Sequence, residues 1–392
     1  MTDEFKVLYV LPKSNFFDAG RRGRVTHAIG VARGLSDAGA SVSVVSGAGL
    51  STYSDDLGER VHTISVQSHG DGPLAEGRWL MKLSRAIETW LRRNEPPWAV
   101  VIRYAVSRGP YIRWLLSRLR DVFTVLEVNS LAVHQHATWP AVVRWPLLVL
   151  EKRLMSAADL MQVVSEGLRR DMCGRPASIS EDKVVTVPNA GTILPAMPKT
   201  GFTPETESCL RFTYMGVFQP YYELGLLMQA FDGVRRLVGD DAELHLYGDG
   251  PLSDELSRKA GPGVVLKGRY NLRELLSTAD WYDRRRVLIL PYGDNALARI
   301  GSPTKLFEYM AIGRPMLVSR IGQPADLLND GLTAVFYEAG DIASLQRGMR
   351  WCHDNWDEAV EIGRRAREDF LQNHTWQQRM EWWLRTLRAR HR

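Results

Sequence analysis

The feature that most restricts this chain is a succession of short apolar runs separated by helical patterns, which stops once and then begins again. Lys6–Leu11, Ser41–Ser46, Val61–Val66, Ala99–Ile102, Phe123–Val128 and Leu160–Val164 read as buried strands. Helical patterns lie between them, among them Arg24–Ala38, ended by Gly39, then Trp79–Arg93, Tyr111–Arg120 and Val142–Met155. Strands that alternate with helices are joined by right-handed crossovers, so the pattern predicts a parallel sheet covered by helices.

Residues 192–209 interrupt the rhythm with three prolines and no helical period, and read as an interdomain linker. The alternation then restarts with strands Arg211–Met215, Glu243–Tyr247, Val264–Lys267, Val287–Leu290 and Met316–Ser319. The helices predicted among them are Leu224–Leu237, Leu272–Thr278 and Pro303–Ala311. A length of 392 residues suits two such domains. The expected partition is 1–195, 196–372 and a C-terminal helix over 373–392. In that helix Trp376, Met380, Trp383, Leu384 and Leu387 share one face. It reads either as a strap on the N-terminal domain or as a free basic tail.

Composition narrows the class. Cys173, Cys209 and Cys352 are too few and too far apart for a disulfide framework or a CxxC site, which fits a reducing cytoplasm. No apolar run approaches the roughly 18–20 residues of a membrane span, and Val7–Leu11 is too brief for a signal core. The expectation is a cytoplasmic protein, with the inner face of the cytoplasmic membrane as a place to act. The net charge is +5, and basic residues crowd between Arg78 and Arg120 with Trp79, Trp90, Trp98 and Trp114 among them. This region reads either as solvated helix faces with inward tryptophans or as a patch for an anionic membrane. No recognition helix, RNA platform or zinc finger accompanies it, so nucleic acid is not an expected partner.

The run Arg299–Ala311 carries the chemistry. Ser302 is placed to cap a helix and Pro303 to open it. The free amides and positive end of such a helix suit a diphosphate. Lys305 adds a cation to the first turn. Glu308, three residues after Lys305 and four after Thr304, shares their face and is placed to accept both hydroxyl protons of a ribose. Leu306, Phe307, Met310 and Ala311 should face the core. No metal or other cofactor is expected: His and Cys are not clustered, and the adjacent pairs Asp55–Asp56 and Asp240–Asp241 lack D-x-D spacing.

The run S-P-T-K-L-F-E-Y-M-A-I-G-R-P-M-L-V-S from Ser302 resembles the donor motif of the retaining GT-B glycosyltransferases, family 4 (group 1). Other segments match in order: Ala19–His27, Leu126–Ser130, Val163–Leu168, Val187–Gly191, Tyr214–Glu223, Tyr247–Pro251, Leu266–Arg269 and Asn373–Trp376. The resemblance spans nearly the whole chain. It implies two Rossmann-like domains whose parallel sheets face an interdomain cleft, with the last helix crossing back to the first domain. The implied activity moves a hexose from a nucleotide-diphosphate sugar, of UDP or GDP type, to a glycan or lipid-linked acceptor in envelope or exopolysaccharide assembly.

The resemblance also assigns roles. Lys305, Glu308 and Arg299 would serve the reacting donor. Gly23, Gly268, Arg269, Gly301, Ser302, Pro303, Thr304 and Leu306 would line the donor. Glu127, Asn129 and His134 would face the sugar or acceptor. Plainer readings stand beside these: Gly23 as a turn glycine, Glu127 and Asn129 satisfying buried groups, His27 as a packing histidine, and His134 and His136 as surface histidines. Two positions depart from the family pattern. Ile300 stands where many members have a second glutamate, which leaves that sugar contact to backbone such as the Gly301 N–H. The loop Val217–Tyr222 lacks an Arg and a Lys that many members use against the leaving diphosphate. That charge would then fall to Lys305, the helix dipole and Arg299. A nucleotide-sugar epimerase and a non-catalytic nucleotide-sugar-binding partner of a polysaccharide complex are the competing readings.

Overall fold

The computed structural model describes residues 4–17, 23–70, 72–96, 98–135, 139–175, 178–193, 209–278, 281 and 284–391. Residues 19–22 of the first glycine loop, His136 and most of the expected linker lie outside them. The chain forms two compact units. The first comprises Met1–Ala190, Ile300–Ser302 and Trp376–Arg392; the second comprises Gly191–Arg299 and Pro303–Thr375.

The sheet of the first unit contains β1 (Lys6–Val10), β2 (Ser41–Gly47), β3 (Val61–Val66), β4 (Trp98–Arg103), β5 (Thr124–Val128), β6 (Leu160–Val163) and β7 (Val184–Thr186). All pairings are parallel, in the order β3-β2-β1-β4-β5-β6-β7. Period-two alternation assigns the two faces. Val7 and Tyr9 of β1 enter one apolar layer, and Leu8 and Val10 enter the other. Burial on both faces is why these strands read as continuous apolar runs. β7 has three residues, too few to show a pattern in the sequence.

Helix α1 (Gly23–Asp37) covers one face together with the C-terminal helix. The other face carries α2 (Pro73–Arg93), α3 (Gly109–Arg118) and α4 (Ala141–Met155). Trp79 and Trp90 of α2 point inward, donating their indole N–H to Val66 O and Ser43 Oγ at 2.9 Å. The inward-tryptophan reading therefore holds for these two, whereas Trp114 of α3 is exposed.

The second sheet contains β8 (Leu210–Met215), β9 (Ala242–Tyr247), β10 (Val264–Gly268), β11 (Arg286–Leu290), β12 (Met316–Ser319) and β13 (Val335–Tyr337). It too is parallel, in the order β10-β9-β8-β11-β12-β13. The strand order reverses between β8 and β11, and open sheets of this kind bind ligands beyond the carboxyl ends at such a reversal. Helix α5 (Leu224–Val238) follows β8, and α6 (Thr304–Ile312) lies between β11 and β12. Gly313, with φ of 75°, ends α6 in the left-handed conformation that glycine tolerates.

The final helix, α7 (Trp376–His391), belongs to the first unit and is not a free tail. Trp376, Met380, Trp383, Leu384 and Leu387 are all buried in that unit's core. Gly30 of α1 makes the close approach possible, since a Cβ there would stand 2.1 Å from the Trp376 ring. Among the described residues no helix is long and apolar enough to cross a membrane.

Candidate functional site

The second unit builds its polar centre on α6. Leu306, Phe307, Tyr309 and Met310 are fully buried and fix the rotation of the helix. The opposite face then presents Thr304, Lys305 and Glu308, all partly buried. The helix opens one residue later than the sequence suggested: Pro303 sits at the cap position and Thr304 is the first helical residue. Ser302 does not cap it. Its hydroxyl accepts instead from the backbone N–H of Asn189 at 2.9 Å, within the first unit. Leu306 packs in the core with its amide bonded to Pro303 O at 3.1 Å. The upstream amides of the turn keep the anion-binding character of a helix start.

Lys305 has an unusual setting. Its Nζ donates to Tyr214 Oη at 2.9 Å and lies 4.6 Å from the centre of that ring. It lies 3.9 Å from the centre of Tyr222. Two aromatic faces attract the ammonium but do not replace its hydration. Burial accordingly pushes the lysine down to about 7, with Glu308 acting weakly in the other direction. Tyr222 belongs to the loop that lacks the Arg and Lys of many relatives. That loop sets the Tyr222 ring against the helix cation, beside Tyr214 of β8, and supplies no cation of its own. Gly216, at the end of β8, leaves the room: a Cβ there would stand 2.1 Å from Lys305 Nζ.

Glu308 is the counterpart. Burial raises its carboxyl above the ordinary range, and Lys305 opposes the shift. Among the described residues no hydrogen bond or ion pair engages this carboxylate. A half-buried carboxylate without protein donors is open to a ligand that supplies them. Gly268, with φ of 69°, ends β10, and its carbonyl accepts Gly248 N at 2.7 Å. Arg269 is exposed and paired with Asp249. Arg299 is likewise exposed and paired with Asp294 at 2.5 Å, so its charge is already partly compensated.

The first unit has a different polar centre, at the carboxyl ends of β4 and β5. Arg103 and Glu127 are register partners there. The Glu127 carboxylate is fully buried and receives Tyr9 Oη at 2.6 Å, Arg103 Nη1 at 2.7 Å and Asn129 Nδ2 at 2.9 Å. His27 Nε2 lies 3.0 Å away, and its Nδ1 meets Asn189 Oδ1. Burial alone would raise this carboxyl, but the charges of His27 and Arg103 and the hydrogen bonds hold it well below the usual range. Glu127, Asn129 and His27 are therefore brought together, and Tyr9, Arg103 and Asn189 complete the group. Tyr9 and Arg103 gave no sequence signal of this role; Asn189 lay in a motif already noted.

His134 is not a surface histidine. It is buried, with Nδ1 accepting Leu131 N at 3.2 Å and Nε2 2.8 Å from Asp171. Both nitrogens are committed within the unit. Gly23 is the exposed first residue of α1. Ile300 is buried in the first unit's core, Gly301 follows it partly buried, and the Ile300 carbonyl accepts the Ser165 hydroxyl. Among the described residues no group of His, Cys, Asp and Glu is arranged to hold a metal.

Comparison with known proteins places these centres in a family. Residues 22–190 match the glycosyl transferase 4-like domain, and residues 210–355 match the glycosyl transferases group 1 model. A D-rhamnosyltransferase, WbpZ of Pseudomonas aeruginosa, is 29% identical over 168 residues. That match spans 42% of this chain and 41% of the relative's own length. Among solved structures, a glycosyltransferase from Rickettsia africae superposes with a TM-score of 0.72 at 14% identity, covering 99% of both chains. A sucrose-phosphate synthase from Thermosynechococcus elongatus gives 0.71 at 16% identity, covering 98% of both. HepE of Anabaena, solved with UDP and glucose, gives 0.71 at 12% identity, covering 98% of this chain and 99% of its own.

Proposed function

The chain belongs to the GT-B glycosyltransferases of family 4, group 1, and from that premise we propose that its second unit holds a nucleotide-diphosphate hexose for transfer with retention of configuration. The observation that carries this reading is α6, which puts a partnerless carboxylate one turn below an amide end and a caged lysine. Glu308 accepts the ribose hydroxyls. The first-turn amides, Thr304 and Lys305 hold the diphosphate, and the Gly268 backbone lies beside the base.

In the transfer step the bond between the anomeric carbon and the phosphate oxygen breaks, and its electron pair leaves with the diphosphate. The acceptor oxygen bonds to the same carbon on the same face, and its proton passes to the departing phosphate oxygen. Lys305, which takes up a proton from solvent when the dianion arrives beside it, stabilises the charge that develops there. This scheme uses no metal and no dedicated base. The likeness to a D-rhamnosyltransferase supports a hexose of the deoxy type, and HepE's UDP supports a nucleotide-sugar donor. The acceptor is a glycan or lipid-linked glycan reached from the cytoplasmic side.

A thermal-shift screen with UDP, GDP, dTDP and ADP tests the donor half. A ligand at a hundredfold excess over its Kd stabilises by about 2.7 kcal/mol. One diphosphate should stand out, and its shift should vanish in Glu308→Ala. Equal or absent shifts for all four overturn the assignment. Incubating the matching sugar nucleotide without acceptor separates transfer from epimerisation, since an isomerised donor would mark the latter.

A further inference from the structure

Helix α4 is turned inside out. Two of its four charged residues, Glu151 and Lys152, are buried, at 2% and 1% exposure, while Arg144 is half-buried and Arg153 exposed. Specific partners hold them there. Both Glu151 oxygens accept Ala132 N at 2.9 Å, and Oε1 also accepts Tyr104 Oη at 2.9 Å. Lys152 Nζ donates to Gly174 O at 2.7 Å. With that rotation fixed, the opposite face must point to solvent, and it is apolar. Val142, Trp145, Pro146, Val149 and Leu150 recur at helical spacing along it. Val142 is 77% exposed, Trp145 60% and Leu150 55%. A helix that buries a glutamate and a lysine while it exposes Val142, Trp145 and Leu150, with Arg153 at the end of the same stripe, is the reverse of an ordinary surface helix.

The neighbouring helices decide what could cover that stripe. Tyr111 of α3 bonds Ser84 of α2 at 2.9 Å, and Arg118 of α3 pairs with Glu88 of α2 at 3.2 Å. All three helices pack on the same layer of the first unit. Their exposed positions include Lys82, Arg85, Arg92, Arg113, Arg118 and Arg153, and none is a carboxylate. Glu88 is engaged by both Arg92 and Arg118. Trp114 and Met81 are exposed among the cations. A second copy of this face would bring like charges together, and a nucleic acid offers nothing to aliphatic side chains.

We infer that α2, α3 and α4 form a docking face for an anionic lipid surface, with the α4 stripe entering the headgroup–acyl boundary and the cations of α2 and α3 lying against the headgroups. Trp114 and Trp145 suit that depth, where a ring can be half apolar and half wet. The inference deepens the lipid-linked reading of the acceptor but rests on a separate face, so vesicle binding and nucleotide binding can fail independently.

The test is flotation of the full chain with phosphatidylcholine vesicles, with and without phosphatidylglycerol. The wild type should float with the anionic vesicles and stay largely behind with the neutral ones. The exposed double variant Trp145→Asp, Leu150→Asp should reduce partitioning on the order of tenfold or more. Arg113→Glu with Arg153→Glu should weaken it on the order of tenfold, through lost headgroup attraction. Leu237→Asp, at an exposed position of the second unit, should float as the wild type does. Retained nucleotide shifts would show that every variant is folded. Three results overturn the inference: no flotation of the wild type, equal flotation of Trp145→Asp, Leu150→Asp, or a dimer in solution that this variant dissociates without any vesicle binding.

Discussion

Each unit sets a glutamate at its polar centre, buried in the first and half-buried in the second, and the two are treated in opposite ways. Glu127 in the first unit is surrounded by Tyr9, His27, Arg103 and Asn129, and its carboxyl is held well below the usual range. Glu308 in the second unit has a half-buried carboxyl that desolvation pushes up, beside a lysine pushed down to about 7. In the first arrangement the carboxylate is saturated by donors of its own unit. The second leaves both charges under-satisfied, which costs stability and favours any ligand that brings a dianion and two hydroxyl donors. A buried carboxylate is thus not a functional signal by itself; the state of its hydrogen bonds decides.

The sharpest way to break this contrast is to neutralise the two glutamates in turn. Glu127→Gln leaves Arg103 and His27 facing an amide, and removing one partner of a buried pair costs about 3–5 kcal/mol. Its melting temperature should fall by roughly 10 °C in calorimetry. The acid limb supplies the sign. A carboxyl depressed in the folded state contributes stability above its unfolded value near 4.5, and that contribution is lost as pH falls through the folded value. Glu127→Gln should lack this loss, and an unchanged melting temperature would contradict the saturated reading. Glu308→Ala should do the reverse, abolishing nucleotide binding while leaving the free protein as stable as before or more so.

Lys305→Met sharpens the second half of the comparison. Turnover should drop by about 10²–10³ if the cation meets the leaving diphosphate. A lysine at about 7 in the free protein takes up a proton from solvent when the anion binds, so nucleoside diphosphate affinity should decline as pH rises from 7 toward the ordinary lysine value of 10.5. Isothermal titration across that range should give a flat profile for Lys305→Met; an equal slope in both proteins would assign the proton elsewhere. His134→Ala should cost about 1–3 kcal/mol through the stranded Leu131 amide, the exposed Asp171 being free to meet water, with nucleotide binding intact. Arg299→Ala should have the smallest effect, under about 1 kcal/mol in affinity, because its guanidinium is exposed and already paired.

Several site features were legible before any coordinates. The α6 pattern placed Lys305 and Glu308 on one face and Leu306, Phe307 and Met310 on the other, because a period of 3.6 is a local property. The apolar face of Trp376, Met380 and Leu387 followed from the same periodicity, which favoured the strap over the free tail. The cap was misplaced by one residue because Ser302 finds a partner in Asn189, which is 113 residues away in sequence. His134 was misjudged for a similar reason, since its partner Asp171 sits on another helix.

The sequence by itself determined two parallel-sheet cores, their helical cover, and the amphipathic helix that carries Lys305 and Glu308 on one face. These follow from apolar spacing along a few turns of chain, which needs no partner to be read. Only the tertiary structure decided which charges are satisfied and which way α4 faces. Tyr9, His27 and Arg103 meet Glu127 across separations of 118, 100 and 24 residues, and the rotation of α4 is set by what Glu151 and Lys152 find to bind. Hydrogen bonds and desolvation act through space at about 3 Å, so their balance at any one residue is fixed only when distant segments are folded together.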